Sequence, residues 1–400
     1  MTATASEPWP QGAEVSGGGV WPGREAGVGL GSQGAEVSGG GVWPGREAGV
    51  GLGSQGAGVS GGHFRRGAEV GLGLQSDKRA GDYARLARRA AEHGFDVLSV
   101  FGDLMYQPPI FPLLEMAAAT SRVRLGAACL NPYSMAPYEI AGQVAALDLA
   151  SGGRAYLGLA RGTWLDAVGI ARPRPLATLE EAAEVVYRLL RGDDSGYEGT
   201  VFRLAPGTAL RYAVRRPDPP LLLGAWGPKG AALAGRIASE IKVGGSANPA
   251  MVKVIGDRVR PGELAAGRAA GDVGVVLGAV TVVDADGGAA RARARTEVAM
   301  YLAVVAGLDP TADLPRDLVA RVSALVDEGR HEEAGRLVPD DVLDLFAFSG
   351  TPDQVAAQAQ ALIDAGARRV EFGTPHGLTD DAGVDLLGTA VLPSLRREPA

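Results

Sequence analysis

Three consecutive pieces of the chain decide its fold: Val123–Cys129 (VRLGAAC), Pro137–Ala150 (PYEIAGQVAALDLA) and Arg154–Leu159 (RAYLGL). The outer two are short apolar runs, the length of buried strands. The middle one spaces its apolar residues as a helix does, with Pro137 in the position that suits a first helical turn. A strand, a helix and a second strand joined by short loops form a right-handed βαβ unit with parallel pairing.

The same texture runs outward in both directions from Gly67. Strands are predicted at Ala68–Leu74, Phe95–Phe101, Pro220–Gly224, Ile241–Gly244, Gly274–Val283 and Arg369–Gly373, and helices at Gly81–His93, Ile110–Thr120, Leu176–Arg191, from Lys229, and at Ala382–Leu395. Eight such strands predict an α/β fold of the (β/α)8 TIM barrel type with insertions. An open doubly wound sheet would place a glycine-rich phosphate fingerprint after its first strand; here Gln75-Ser76-Asp77-Lys78 stands there. Arg191–Arg216 reads as an excursion, Asp313–Asp344 as an extra helical pair, and Thr351-Pro352 as a helix start.

Before the barrel the texture is different. Residues 11–32, QGAEVSGGGVWPGREAGVGLGS, recur without a change at 33–54, and a third copy fades by Gly62. Glycine makes up 8 of the 22 residues in each copy, and the few apolar residues follow neither a helical nor a strand period. Such a segment has little to offset its ordering entropy. We therefore divide the chain into a low-complexity tail, 1–63, expected to be disordered, and a barrel, 64–400. A solenoid is the other reading of a repeat, but it needs several copies to bury a core.

Bulk properties narrow the function. The net charge of -7 argues against nucleic-acid or anionic-membrane partners, which need clustered Lys and Arg. The single cysteine, Cys129, excludes an intramolecular disulfide, and the four histidines lie far apart, so no metal site is predicted. No run is apolar for the length of a membrane span, and no secretory signal pattern is present, so the chain reads as cytoplasmic.

A barrel carries its active site at the C-terminal ends of its strands. Following strand three are Ala128, Cys129, Leu130 and Asn131. Gly162 and Thr163 follow strand four, and Trp226, Gly227, Pro228 and Lys229 follow strand five, where a helix begins whose free amides and dipole favour a phosphate. Gly373–Gly377 follows the last strand. Each loop taken singly is ordinary; their convergence on one face is the signal. No nucleophile elbow and no zinc-protease motif accompanies them, which points to a bound cofactor that brings its own chemistry.

Leu147–Leu159, LDLASGGRAYLGL, resembles the signature of luciferase-like flavin and deazaflavin oxidoreductases. Ala91–Asp96, Gly224–Pro228 and Phe348–Asp353 support it in the expected order. Within that superfamily, Asn131-Pro132-Tyr133, the strand-five loop and Gly373–Gly377 are most similar to methylenetetrahydromethanopterin reductase, which uses coenzyme F420. The resemblance implies a (β/α)8 barrel, a homodimer or higher oligomer, and a small-molecule substrate. It also implies a non-proline cis peptide near Ala128–Cys129 that supports one face of the cofactor ring. Against the reductase, Gly73 stands in place of a Glu, Thr163 of an Asp and Trp226 of a Gln, while Asp103 keeps its place and is the candidate catalytic acid.

These readings lead to hydride transfer with F420. FMN-dependent monooxygenation and non-catalytic flavin binding are the alternatives. From the tail's composition we predict that deleting residues 1–62 leaves the melting temperature and cofactor affinity unchanged. A clear fall in melting temperature would show that the repeat contributes to the fold.

Overall fold

The computed structural model describes residues 67–395, so the repeat assigned to 1–63 lies outside the described residues. Strand and helix alternate as β1 Glu69–Leu74, α1 Asp82–His93, β2 Val97–Val100, α2 Ile110–Ala119, β3 Arg124–Ala127, α3 Pro137–Ser151, β4 Leu157–Ala160 and α4 Pro175–Arg191. A small antiparallel hairpin, β5 Tyr197–Glu198 and β6 Arg203–Leu204, occupies the excursion. The alternation resumes with β7 Leu221–Gly224, α5 Pro228–Ile237, β8 Glu240–Gly244, α6 Pro249–Ala265, β9 Gly274–Val283 and α7 Gly287–Ala299. An insertion follows, with α8 Leu302–Val305, α9 Arg316–Asp327, α10 His331–Arg336 and α11 Asp340–Phe346. The chain then forms β10 Ala347–Gly350, α12 Pro352–Asp364, β11 Arg369–Gly377, α13 Asp380–Leu386 and α14 Leu392–Leu395.

The parallel strands run in the order β3-β2-β1-β11-β9-β8-β7-β4. Bridges between Leu125 and Ala155 and between Leu130 and Leu159 join the two ends, so the sheet closes into the expected (β/α)8 barrel. Several elements differ from the sequence reading, among them the helix α6 and the hairpin β5–β6, for which no element was predicted. The region Asp313–Asp344 holds parts of three helices rather than a pair. The closing helix starts at Asp380 and passes through a π-helical turn at Leu387–Val391. β10 was not anticipated: Ala347-Phe348-Ser349-Gly350 has no β-branched residue, and it becomes a strand because the ten-residue β9 overhangs β8 and offers Val280–Val283 for pairing. The helix start at Thr351 is a full capping box with Gln354, and Pro352 stands in the first turn.

The LDLASGGRAYLGL run welds the N-terminal end of the barrel. Asp148 is buried and accepts from the Ala155 amide at 3.1 Å and from Arg216 Nε at 3.0 Å. Gly152 and Gly153 turn the chain at φ 72° and 94°, a region L side chains rarely adopt. Arg154 donates to the carbonyls of Ala117, Thr120 and Val123 at 2.8–3.0 Å, tying α2 to β3 and β4.

The barrel interior is charged. Successive residues of a strand alternate faces, so Glu240 and Lys242 of β8 point the same way, as do Arg369 and Glu371 of β11. All four are buried. Lys242 pairs with Glu371, and Arg369 lies 3.3 Å from Glu240, an ion pair whose geometry falls short of a hydrogen bond. Arg124 bridges Glu69 and Glu240. Ser99 donates to Glu371 at 2.7 Å and meets the Tyr156 hydroxyl at 2.8 Å. Glycine makes the room: Gly71 and Gly278 register on either side of Glu371, and a Cβ on them would stand 3.3 and 3.2 Å from its side chain. Val97, Tyr156, Leu222 and Val276 fill the rest of the lumen.

Breaking one partner of a buried pair strands the other charge, at about 3–5 kcal/mol, whereas replacing both is often neutral. Arg369→Met is therefore expected to lower the urea midpoint sharply, and Arg369→Met with Glu240→Gln to recover much of the loss. Equal midpoints for wild type and Arg369→Met would remove the interior charge pairing from the account.

Candidate active site

The C-terminal strand ends converge on a mouth whose floor is the end of β3. The Ala128–Cys129 peptide is cis and not a proline bond. The chain then rejoins β4 through Leu130, whose amide donates to Gly158 and whose carbonyl accepts from Ala160, both at 2.9 Å. Neighbouring strands make way for this bulge. A Cβ on Gly102 would collide with the Cys129 carbonyl, and one on Gly224 would stand 3.2 Å from Cys129 Sγ. Burial pushes the Cys129 thiol up to about 12, which leaves it a protonated, weakly polar group. Beside it, Asn131 Oδ1 accepts from the amides of Tyr133 and Ser134 at 3.2 and 2.9 Å, and Gly162, at φ 78°, packs against that side chain.

Asp103 lies three residues past the end of β2. Burial raises its carboxyl above the usual carboxylate range; a hydrogen bond from the Gln75 side chain and the charge of Lys242 act in the opposite sense. Between Asp103 and the interior stands Phe101. Its ring fills the space in front of Gly73, where a Cβ would come within 2.6 Å of it, and it lies 5.1 Å from Lys242 Nζ. Gln75 is held from the other side, its amide donating to Thr374 Oγ1 at 2.9 Å. His376, buried and at φ 72°, follows a cis Thr374–Pro375 bond. Its Nε2 lies 3.0 Å from the Gly73 carbonyl, which can only accept, so that nitrogen carries the proton.

The third wall is the start of α5. Gly227 caps it in an extended conformation and Pro228 takes the first turn. The amides of Lys229 and Gly230 thus precede the first intrahelical bond, which runs from Ala231 to Gly227. A Cβ on Gly227 would meet nothing within 4 Å. Lys229 is exposed, and Arg258 fixes the Trp226 carbonyl at 2.6 Å.

The structure thus sets Ala128 and Cys129 on the floor against Gly102, with Asp103 next in the chain, places Asn131 against Gly162, and sets Trp226, Gly227, Pro228 and Lys229 at one helix start. Thr163 is exposed beside Gly162. The Leu130 side chain packs into the core between barrel and helices, so its part in the floor is through its backbone. Lys242, Glu371, Gln75 and Phe101 were missed. For the first two a signal existed, since charged residues at alternate positions of an otherwise apolar strand, EIKVG and RVEFG, face one side of it.

Residues 62–369 match the family model described as luciferase-like monooxygenase. The chain belongs to this family. The luciferase-like barrel is 28% identical over 324 residues to 5,10-methylenetetrahydromethanopterin reductase of Archaeoglobus fulgidus, covering 78% of this chain and 95% of that protein. It is 29% identical over 333 residues to F420-dependent glucose-6-phosphate dehydrogenase of Nakamurella multipartita, covering 79% and 92%. Among solved structures, the F420-dependent tetrahydromethanopterin reductase of Methanopyrus kandleri superposes with a TM-score of 0.74 at 24% identity, over 82% of this chain and all of that one. The last likeness speaks for the fold.

Because the thiol sits so high, Cys129 is predicted to react with a disulfide reagent at pH 8 on the order of 10³-fold more slowly in the folded protein than in urea. As the only cysteine of the chain, it gives an unambiguous signal. Comparable rates in both states would mean that the thiol is open and ionisable.

Proposed function

We propose that this luciferase-like barrel is an F420-dependent oxidoreductase that transfers a hydride between the deazaflavin and a small organic substrate. The observation that carries the reading is the Ala128–Cys129 floor, given room by Gly102 and Gly224, on the same mouth as a helix start whose Lys229 and Gly230 amides have no intrahelical partner. A flat ring and a phosphate are the two parts of a ligand that such a pair suits.

When bound, F420 supplies a two-electron hydride carrier with carbon where a flavin has N5. The chain's own residues do the rest. The backbone at Ala128–Cys129 would support one ring face, leaving the other to the substrate. The Lys229 and Gly230 amides, with the Lys229 ammonium, would hold phosphate. Trp226 would wall water from the mouth. Asp103 would hold or accept a proton at its carboxyl, which its burial favours. The relatives' own substrates differ from one another, so the substrate class does not follow from kinship.

The test is the cofactor retained on purification, read by absorbance and mass, followed by two variants. Gly227→Val is expected to leave the melting temperature unchanged, because its side chain enters open space, yet to weaken F420 binding at least tenfold. Asp103→Asn is expected to keep the affinity and lower the rate by about 10²–10⁴-fold. A carboxyl raised in the fold binds its proton more tightly there, so it weakens the fold as pH climbs past its unfolded and then its folded pKa. Asp103→Asn should therefore also raise the melting temperature at pH 7 and lose that advantage in acid. Retained FMN with oxygen consumption would replace this reading by the monooxygenase one, and a cofactor bound without turnover of any substrate by the binding-protein one.

A further inference from the structure

The mouth and the charged lumen meet at one residue. Lys242 rises from β8 inside the barrel, buried, with its ammonium paired to Glu371 of β11. Glu371 is held in turn by Ser99 of β2, whose hydroxyl lies 2.8 Å from that of Tyr156, and Tyr156 Oη shares its single proton between Ser99 and the Gly126 carbonyl, 3.0 Å away. On its upper side the ammonium faces the Phe101 ring at 5.1 Å. Phe101 cannot move toward β1, because it already fills the space at Gly73, nor far toward β11, where Gly373 lies. Asp103 follows it after one residue, and that residue, Gly102, is pinned against the Cys129 carbonyl. The segment Phe101–Asp103 is thus wedged between a buried cation below and the cis peptide beside it.

We propose that Lys242 is a positioning residue for Asp103: from inside the barrel its ammonium, set under the Phe101 ring, seats the Phe101–Asp103 segment that carries the carboxyl. This rests on the assignment of Asp103 made above. The groups acting on Asp103 are Gln75, from the loop after β1, by a hydrogen bond, and Lys242, from β8, by charge. The groups acting on Lys242 are Glu371 and, through it, Ser99 and Tyr156. A lysine serving the fold alone would need only its pairing with Glu371. Its place directly beneath the segment that carries the site's acid gives it a second role.

Lys242→Met alone leaves Glu371 buried and unpaired and is a poor test. Lys242→Met with Glu371→Gln removes both charges at similar volume, the kind of replacement barrels tolerate. Ser99→Ala is the control, since it loosens the same cluster without changing its charge. Two quantities are read. One is the pH profile of the hydride-transfer rate, specifically the limb that disappears in Asp103→Asn. The other is the melting temperature of the cofactor-free protein against pH, compared between Asp103 and Asp103→Asn in each background. The double variant is expected to move both transitions upward by about one pH unit, and Ser99→Ala to move neither. If the double variant folds and binds cofactor while both transitions stay where they are, the pair is structural only and the proposal is overturned. A shift in the cofactor-free protein without a kinetic one supports the role of Lys242 and overturns the catalytic assignment of Asp103.

Discussion

Closing eight strands into a barrel turns alternate side chains into a lumen with little water, and in this chain that lumen receives Glu240, Lys242, Arg369 and Glu371, with Glu69 and Arg124 at its lower edge. Their mutual neutralisation is the constraint on which the rest depends. An unpaired charge there would cost several kcal/mol, so the register of β1, β8, β9 and β11 is fixed by which acid must reach which base. Glycine at 71 and 278 is a consequence of that register, because Glu371 needs the volume. The same network extends upward through Lys242 to Phe101, so the packing of the lumen also sets the height of the floor under the mouth.

The two ends of the barrel carry different kinds of information. The first part of the LDLASGGRAYLGL run lies at the N-terminal end, where Asp148 and Arg154 tie helices to strands by hydrogen bonds to backbone groups. The run fixes the scaffold, and through Tyr156, Gly158 and Leu159 it also reaches the floor of the mouth, where Leu130 donates to the Gly158 carbonyl. The departures that the sequence resemblance implies, at Gly73, Thr163 and Trp226, all fall at or after the C-terminal ends of strands. At Gly73 the departure has a physical counterpart: the space is taken by the Phe101 ring, with Glu371 Oε1 within 3.0 Å of where a Cβ would stand. At Thr163 and Trp226 no comparable substitute is present.

The insertion between α7 and β10 bounds the mouth on the β8–β9 side. Asn248 caps α6 and also donates to Asp309 at 2.8 Å and to Thr311 at 2.8 Å, pinning the insertion to the strand-eight loop. Tyr301, whose hydroxyl donates to the Phe346 carbonyl at 2.9 Å, packs beside Gly245. The wall over that side is therefore supplied by a segment whose sequence reads only as helical. Its docking rests on a buried apolar cluster that joins Leu302, Val305, Leu343 and Phe346 to Val282, Ala294 and Val298, to which these polar anchors add.

Periodicity and turn chemistry alone determined the eight strands, most of the helices, the capped start at Thr351 and the face on which loops such as Ala128–Asn131 and Trp226–Lys229 converge. These are local properties, set by which residues alternate and which cap. The resemblance added the cis peptide at Ala128–Cys129, which no local rule would have placed. Only the tertiary structure decided the rest. β10 exists because β9 overhangs its neighbour. Leu130 faces the core because the bulge rotates it away from the mouth. Lys242 and Glu371 belong together because barrel closure brings residues 129 positions apart into contact. Alternation in EIKVG and RVEFG says that each charge shares a face with another; which charges meet, and that they meet beneath Asp103, is settled only when the sheet closes and water leaves its lumen.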